Sequence, residues 1–257
     1  MEISFLSWNI NGEHYRLIHR ATLFYKIVPK LSRYLADIIC LQEFPKAREK
    51  NYTLPFFKKY SQYYSGDDCS CTLSRFPVVR SGELLLHKIL APFNPGTVIW
   101  TEIDLGKGVQ LKVYNCHFSI EKIGIASRIK LLEFVLGDAS KHGGPTVVCE
   151  DMNTTIPAKG LSRKIISWFY GIPRQELIVD GKYCSEDERY FFSKTANRYG
   201  FTEALNLSDN TWGLPRYKLT PFKIKLDWFL VRGIRVSKAT LGPYISDHRP
   251  ILIKCIV

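Results

Sequence analysis

Apolar residues recur along this chain in two rhythms. Short continuous apolar runs, such as Ile38-Ile39-Cys40-Leu41 and Thr146-Val147-Val148-Cys149, suit strands buried on both faces of a sheet. Read this way, the pattern predicts strands over about 3–8, 38–42, 71–74, 98–104, 109–116, 146–149, 226–231 and 251–256. Elsewhere the apolar positions fall at helical spacing. Leu17, Phe24, Ile27, Leu31 and Leu35 predict a helix over 14–36, which Pro29 must kink or split because it lacks the amide hydrogen of a helix interior. Ile125, Ile129, Leu132, Phe134, Val135 and Leu136 predict another over 121–140. From 154 to 195 the pattern is less regular and reads as an insertion-prone loop carrying one short helix, with a charged run through Glu186, Asp187, Glu188 and Arg189. No repeat, low-complexity tract or linker interrupts the chain, so residues 1–257 are expected to form one α/β domain.

Six apolar stretches are each joined to a polar island where ordinary turn residues would suffice. These are Ser7-Trp8-Asn9-Ile10-Asn11-Gly12, Leu41-Gln42-Glu43, Asn115-Cys116-His117, Glu150-Asp151-Met152-Asn153, Leu226-Asp227-Trp228 and Ser246-Asp247-His248-Arg249-Pro250. A single site at one end of a sheet accounts for all of them. Together they offer carboxylates and amides for a hard cation, an imidazole, and neutral donors for phosphate oxygens, a set suited to metal-assisted hydrolysis of a phosphate ester.

In order, content and spacing the six islands resemble the endonuclease/exonuclease/phosphatase superfamily. It includes exonuclease III-like nucleases, deoxyribonuclease I, tyrosyl-DNA phosphodiesterases, inositol polyphosphate 5-phosphatases and neutral sphingomyelinases. The resemblance runs from about the first strand to the last. It implies a four-layer α-β-β-α sandwich, two packed mixed β-sheets flanked by helices.

Glu43 ends an apolar strand and by itself reads equally as an exposed acid; the family's matching glutamate implies a ligand for Mg²⁺ or Mn²⁺. Asn9 can reach the metal or a phosphate oxygen, although an asparagine leading to Gly12 also suits a turn. Asn11 stands where some relatives carry aspartate, which weakens a second metal site there and leaves it as a substrate contact. Asp151 and Asn153, two apart in an extended chain, would share a face, one to orient or deprotonate the attacking water and the other to hold the phosphate. The family string usually begins with Gly where this chain has Glu150, expected to face away from Asp151. His248 is the strongest candidate for proton transfer or for stabilising the pentavalent phosphorus, and the resemblance assigns Asp227 as its orienting carboxylate. Asp247, adjoining it but pointing elsewhere in an extended chain, suits the metal. His117 separates branches of the family: abasic-site endonucleases typically carry tyrosine in its neighbourhood, the other branches a histidine. Its expected work is a hydrogen bond to a non-bridging phosphate oxygen.

Composition narrows the setting. Hydrophobic residues make up 46 % and charged ones 23 %, ordinary for a folded domain, and no apolar run is long enough to span a membrane. Polar Glu13, His14 and Arg16 interrupt any signal peptide, so a soluble, intracellular, monomeric protein is expected. Seven cysteines, most within apolar runs such as those of Cys40, Cys149 and Cys255, read as reduced core residues. The net charge of +12, with pI near 9.3, favours a polyanionic partner: nucleic acid or an anionic lipid headgroup.

Three functions compete. The favoured one is a nucleic-acid phosphodiesterase, a nuclease or DNA end-processing enzyme resembling the tyrosyl-DNA phosphodiesterases. Arg163 and Lys164 would meet phosphates, while Trp168 and Trp212 offer flat faces to bases. An amphipathic helix packing Leu161, Ile165, Ile166 and Phe169 inward is the plainer account of that segment. The second function is hydrolysis of a lipid headgroup, an inositol phosphate or sphingomyelin. A catalytically inactive binding protein is the third.

Overall fold

The computed structural model of the 257-residue chain describes residues 1–10, 29–44, 56–64, 70–86, 96–118, 125–154, 178–179, 182–183, 187–214 and 219–257. In chain order its strands are β1 (Glu2–Asn9), β2 (Ile38–Gln42), β3 (Ser61–Tyr64), β4 (Cys71–Ser74), β5 (Val78–Leu84), β6 (Gly96–Asp104), β7 (Gln110–Phe118) and β8 (Thr146–Asp151). There follow β9 (Ile178–Val179), β10 (Lys182–Tyr183), β11 (Thr202–Glu203), β12 (Trp212–Leu214), β13 (Leu219–Ile224), β14 (Asp227–Arg232), β15 (Arg235–Leu241) and β16 (Ile251–Ile256). The longer helices are α1 (Ile125–Ala139) and α2 (Glu188–Arg198).

Two six-stranded sheets carry the fold, ordered β15-β16-β1-β2-β4-β3 and β11-β14-β8-β7-β6-β5. Each is mixed: β1 and β2 are parallel in one, β7 and β8 in the other, and the remaining neighbours are antiparallel. Parallel neighbours end on the same side of a sheet. Asn9 is therefore paired with Gln42, and His117 with Asp151, while antiparallel β14 begins at Asp227 opposite Asp151.

Alternation along the strands sorts side chains into layers. Phe5, Ile38, Cys40, Ile253 and Cys255 meet Val113, Val147, Cys149 and Phe229 between the sheets, where the Phe5 and Phe229 rings form an edge-to-face pair at 5.4 Å. Leu6, Trp8, Ile39 and Leu41 face the other way and pack with Leu31, Ala36, Phe44 and Tyr60. On the outer face of the second sheet, Tyr114, Cys116, Val148 and Trp228 pack against Ile125, Leu132 and Leu136 of α1 and Phe192 of α2. This is the expected sandwich of two mixed sheets with helices outside.

The predicted strands agree with β1, β2, β4, β6, β7, β8, β14 and β16 to within a few residues at their ends. Of the first predicted helix, residues 29–34 are helical, Leu35 turns the chain out at φ 46°, and 14–28 lie outside the described residues. One expectation is corrected. The charged run, expected within a loop carrying one short helix, opens the eleven-residue α2, which runs on past Thr195: Asp187 caps it by accepting a hydrogen bond from the Arg189 amide, and Glu188 is buried against Arg128 of α1 at 2.6 Å. No helix among the described residues is long and apolar enough to cross a membrane.

Candidate active site

Both sheets deliver side chains to one place. From the first come Asn9 at the end of β1, Glu43 just beyond β2, and His248 just before β16; from the second come His117, Asp151 and Asp227. The Asn9 amide donates to Glu43 Oε1 at 3.0 Å and to Asp151 Oδ2 at 2.8 Å, so it bridges the sheets. His117 Nε2 lies 3.6 Å from Glu43 Oε1 and 3.9 Å from Asp151 Oδ2. His248 approaches Asp151 from the other side, its Nε2 3.6 Å from Oδ2, while its Nδ1 meets the two Asp227 oxygens at 3.0 and 2.9 Å. Asp151 Oδ2 is thus the hub, with an amide and two imidazoles around it.

The electrostatics follow from burial. Desolvation opposes charge on His248, but the Asp227 and Asp151 carboxylates and the hydrogen bond to Asp227 outweigh it and hold the imidazole pKa well above its ordinary value. Burial pushes the Asp151 carboxyl up, countered chiefly by the neighbouring His248 charge and reinforced by Asp227. With Nδ1–H donating to Asp227, the ring presents Nε2 towards Asp151. Ligand atoms of Asp151, Asp227 and His248 all lie within 4.8 Å of one another, a spacing a metal could use. Within that trio the hydrogen bond runs from His248 Nδ1 to Asp227, whose two oxygens both face the ring, while Asp151 stands 3.6 Å from Nε2 as a charged neighbour.

Buried polar groups fix this frame. Ser246 Oγ accepts from Trp8 Nε1 at 3.0 Å and from the His248 amide at 3.1 Å, clamping the turn before β16 onto β1. Gln42 Nε2 donates to Asn115 Oδ1 at 2.7 Å, and Asn115 Nδ2 donates to the carbonyls of Leu41 and Cys71, stitching the two sheets below the site. Behind Asp227, Lys225 is fully buried with Nζ 3.4 Å from Glu203 Oε1 and 4.9 Å above the Trp228 ring. Glu203 also accepts from the amides of Leu205 at 3.0 Å and Phe229 at 3.3 Å.

Other predicted residues border this cluster in ways the sequence did not foretell. Asn153 does not continue the pleat of β8: its φ is 51°, its amide bonds back to Asp151 Oδ1 at 3.1 Å, and its side chain donates to the Phe118 carbonyl at 2.6 Å. The shared face expected for Asp151 and Asn153 is therefore replaced by a tight turn that fastens β8 to the end of β7. Asp247 Oδ2 accepts from the indole of Trp212 at 3.3 Å, and its Oδ1 is buried with no hydrogen-bond partner among the described residues. Trp212 is half-buried beside it and forms a bridge with His248. Asn11, Arg163, Lys164 and Trp168 lie outside the described residues, as does the Glu150 side chain. Thr211, Glu203 and Lys225 were invisible to sequence reasoning, since nothing in their spacing marks them as neighbours of Asp227.

The sequence model described as the Endonuclease/Exonuclease/phosphatase family matches residues 6–248. Solved structures share the fold. An endonuclease/exonuclease/phosphatase from Bacteroides vulgatus is 16 % identical with a TM-score of 0.69, over 100 % of this chain and 99 % of that one. TDP2 from C. elegans, in truncated form, is 18 % identical with a TM-score of 0.64, over 100 % and 98 %. ANGEL2, described as a 2′,3′-cyclic phosphatase, is 15 % identical with a TM-score of 0.63, over 99 % and 95 %. Comparison with curated protein sequences yields no match.

Proposed function

We propose that this chain, which belongs to the Endonuclease/Exonuclease/phosphatase family and so to the hydrolases of phosphate esters, is a divalent-cation-dependent phosphodiesterase acting on nucleic acid. The observation that carries the reading is the buried cluster of Asp227, His248 and Asp151 placed beside Glu43 and His117. Charge and likeness support the substrate class. The chain carries +12, which favours phosphate contacts, and two proteins of the same fold have nucleic-acid-derived ligands: D. rerio TDP2 with a single-strand DNA product, and ANGEL2 with adenosine-2′,3′-vanadate.

The donor set fits a hard cation. Carboxylates dominate it, and Asp247 Oδ1 is a buried oxygen without a donor, which costs free energy until a cation or proton meets it. Glu43, Asp247 and Asn9 would hold Mg²⁺ or Mn²⁺, Asn9 turning its amide so that oxygen replaces nitrogen. When bound, the ion would neutralise charge developing on the phosphate oxygens. The chain's own residues do the rest. Asp151, made more basic by burial, orients the attacking water and takes its proton. His248, held cationic by Asp227, donates from Nε2 to a phosphoryl oxygen, and His117 donates to a second one; the ester P–O bond breaks as the water oxygen bonds to phosphorus, and the leaving oxygen recovers its proton from solvent.

Assaying single-stranded DNA, plasmid, RNA, 5′-tyrosyl DNA, inositol phosphates and sphingomyelin with Mg²⁺ or Mn²⁺ tests the reading. Turnover of a nucleic acid is expected. Turnover confined to inositol phosphates or sphingomyelin would move the substrate to lipid headgroups, and inactivity on all six with Asp151 and His248 intact would sink the catalytic reading.

A further inference from the structure

We infer that Thr211, fully buried, is a positioning residue that sets the Asp227–His248 pair for the proposed reaction. The need for it comes from the sheet. On one edge β14 pairs with β8 along its whole length, but on the other β11 offers only Thr202 and Glu203, opposite Val231 and Leu230. From Leu226 to Phe229 that edge has no strand beside it among the described residues, and buried amides there must find other acceptors. Side chains supply them. Glu203 takes the Phe229 amide, and Thr211 Oγ1 accepts from both Leu226 N and Asp227 N, each at 3.0 Å.

Thr211 also reaches the histidine loop. Its carbonyl accepts from Arg249 N at 2.8 Å, and two residues on Gly213 N donates to the Asp247 carbonyl at 2.9 Å, so this short segment brackets His248 by backbone bonds. Its own amide donates to the Ile224 carbonyl at 3.1 Å. One residue thereby holds the backbone of the carboxylate through a side chain and the backbone beside the imidazole through a carbonyl. Valine has the same shape as threonine but no acceptor, so Thr211→Val would leave two buried amides unpaired and let Asp227 shift relative to Nδ1. Serine restores the oxygen.

This role rests on the catalytic reading above, so the test has one arm that needs no turnover. The first arm is proton NMR of the imidazole hydrogen shared by His248 Nδ1 and Asp227, assigned by its loss in His248→Gln. Thr211→Ser should keep this resonance and Thr211→Val should lose or displace it. The second arm is turnover of bis(p-nitrophenyl) phosphate with Mn²⁺. Thr211→Val should lower kcat by about 10- to 100-fold, the scale of a small misplacement of a catalytic group, with KM little changed. Thr211→Ser should stay within about threefold of the wild type. On an Asp227→Asn background the valine change should cost little more, because the group it positions is already impaired. Retention of the resonance in Thr211→Val overturns the inference, and so does a full additive loss on the Asp227→Asn background. Should Thr211→Val fail to fold, Thr211→Cys, close in size to serine but with a much weaker acceptor, is read the same way on both arms. A wild type that shows the resonance but hydrolyses nothing counts against the proposed function and leaves the positioning role standing on the first arm.

Discussion

Replacing Lys225 with methionine removes the cation from a buried pair and leaves its carboxylate in place. Lys225 is fully buried and Glu203 nearly so, 3.4 Å apart, so water can screen neither. Removing one partner of such a pair costs about 3–5 kcal/mol. Two features of the site reduce the loss: Glu203 keeps the amides of Leu205 and Phe229, and its carboxyl, already raised above its ordinary pKa chiefly by burial, can take up a proton. One adds to it, because methionine keeps the contact with the Trp228 ring but not the cation–π attraction, about 1 kcal/mol. We expect a net loss of about 3 kcal/mol near neutral pH, or a fall in Tm of about 6–12 °C for a domain of this size. The pH dependence has a definite sign. A carboxyl whose folded pKa exceeds its unfolded one binds protons more tightly in the folded state, so stability falls as pH rises between the two values. Without the Lys225 charge that pulls it down, the folded pKa rises further and this window extends upward. The deficit of Lys225→Met should therefore shrink as the pH falls towards the ordinary carboxylate range. Urea denaturation followed by far-UV circular dichroism at about pH 8 and about pH 5.5 measures it. A deficit under about 1 kcal/mol, equal at both pH values, would refute the account of Lys225 and Glu203 as a desolvated, mutually dependent pair.

Three further outcomes are expected. His248→Ala should reduce kcat by several orders of magnitude and Asp227→Asn by less, and the double variant should resemble His248→Ala; a loss equal to the product of the two would mean independent roles. Exhaustive chelation should abolish turnover, and calorimetric titration with Mg²⁺ should show weaker binding to Glu43→Gln than to the wild type; full activity after chelation would remove the cation from the mechanism. The Cys255 thiol, pushed up to about 12 by burial, should resist maleimide labelling at neutral pH until the chain unfolds, as read by mass spectrometry; rapid labelling of the native protein would contradict its place between the sheets.

What the sequence disclosed depended on where each element lies. Central strands such as β2 and β8 are apolar on both faces, so their runs are continuous and their bounds nearly correct. Edge strands carry little of that signal: β5 and β15 expose most of their residues, and Arg80, Glu83, Arg235 and Lys238 look like loop. The place of helix α2 was hidden because much of its stretch is polar and its buried Glu188 makes sense only once Arg128, sixty residues earlier, is beside it. At the site, the strings around Asn9, Glu43, His117, Asp151, Asp227 and His248 pointed to residues that do converge. Backbone details were hidden. Nothing in Asp151-Met152-Asn153 announced a positive φ at Asn153, and Thr211 matters only because β11 is too short to pair with the start of β14.

The His248–Asp227 hydrogen bond crosses the seam between two sheets, with His248 attached to one and Asp227 to the other. A hydrogen bond of 2.9 Å tolerates little sliding, so the pair works as a gauge of how the sheets are docked. A change in their spacing, such as a repacked Phe5 or Phe229 between the sheets, would reach the proposed catalytic pair through that gauge. Gentle denaturation should then separate the sheets enough to silence the enzyme while each sheet still keeps its own ladder of backbone bonds.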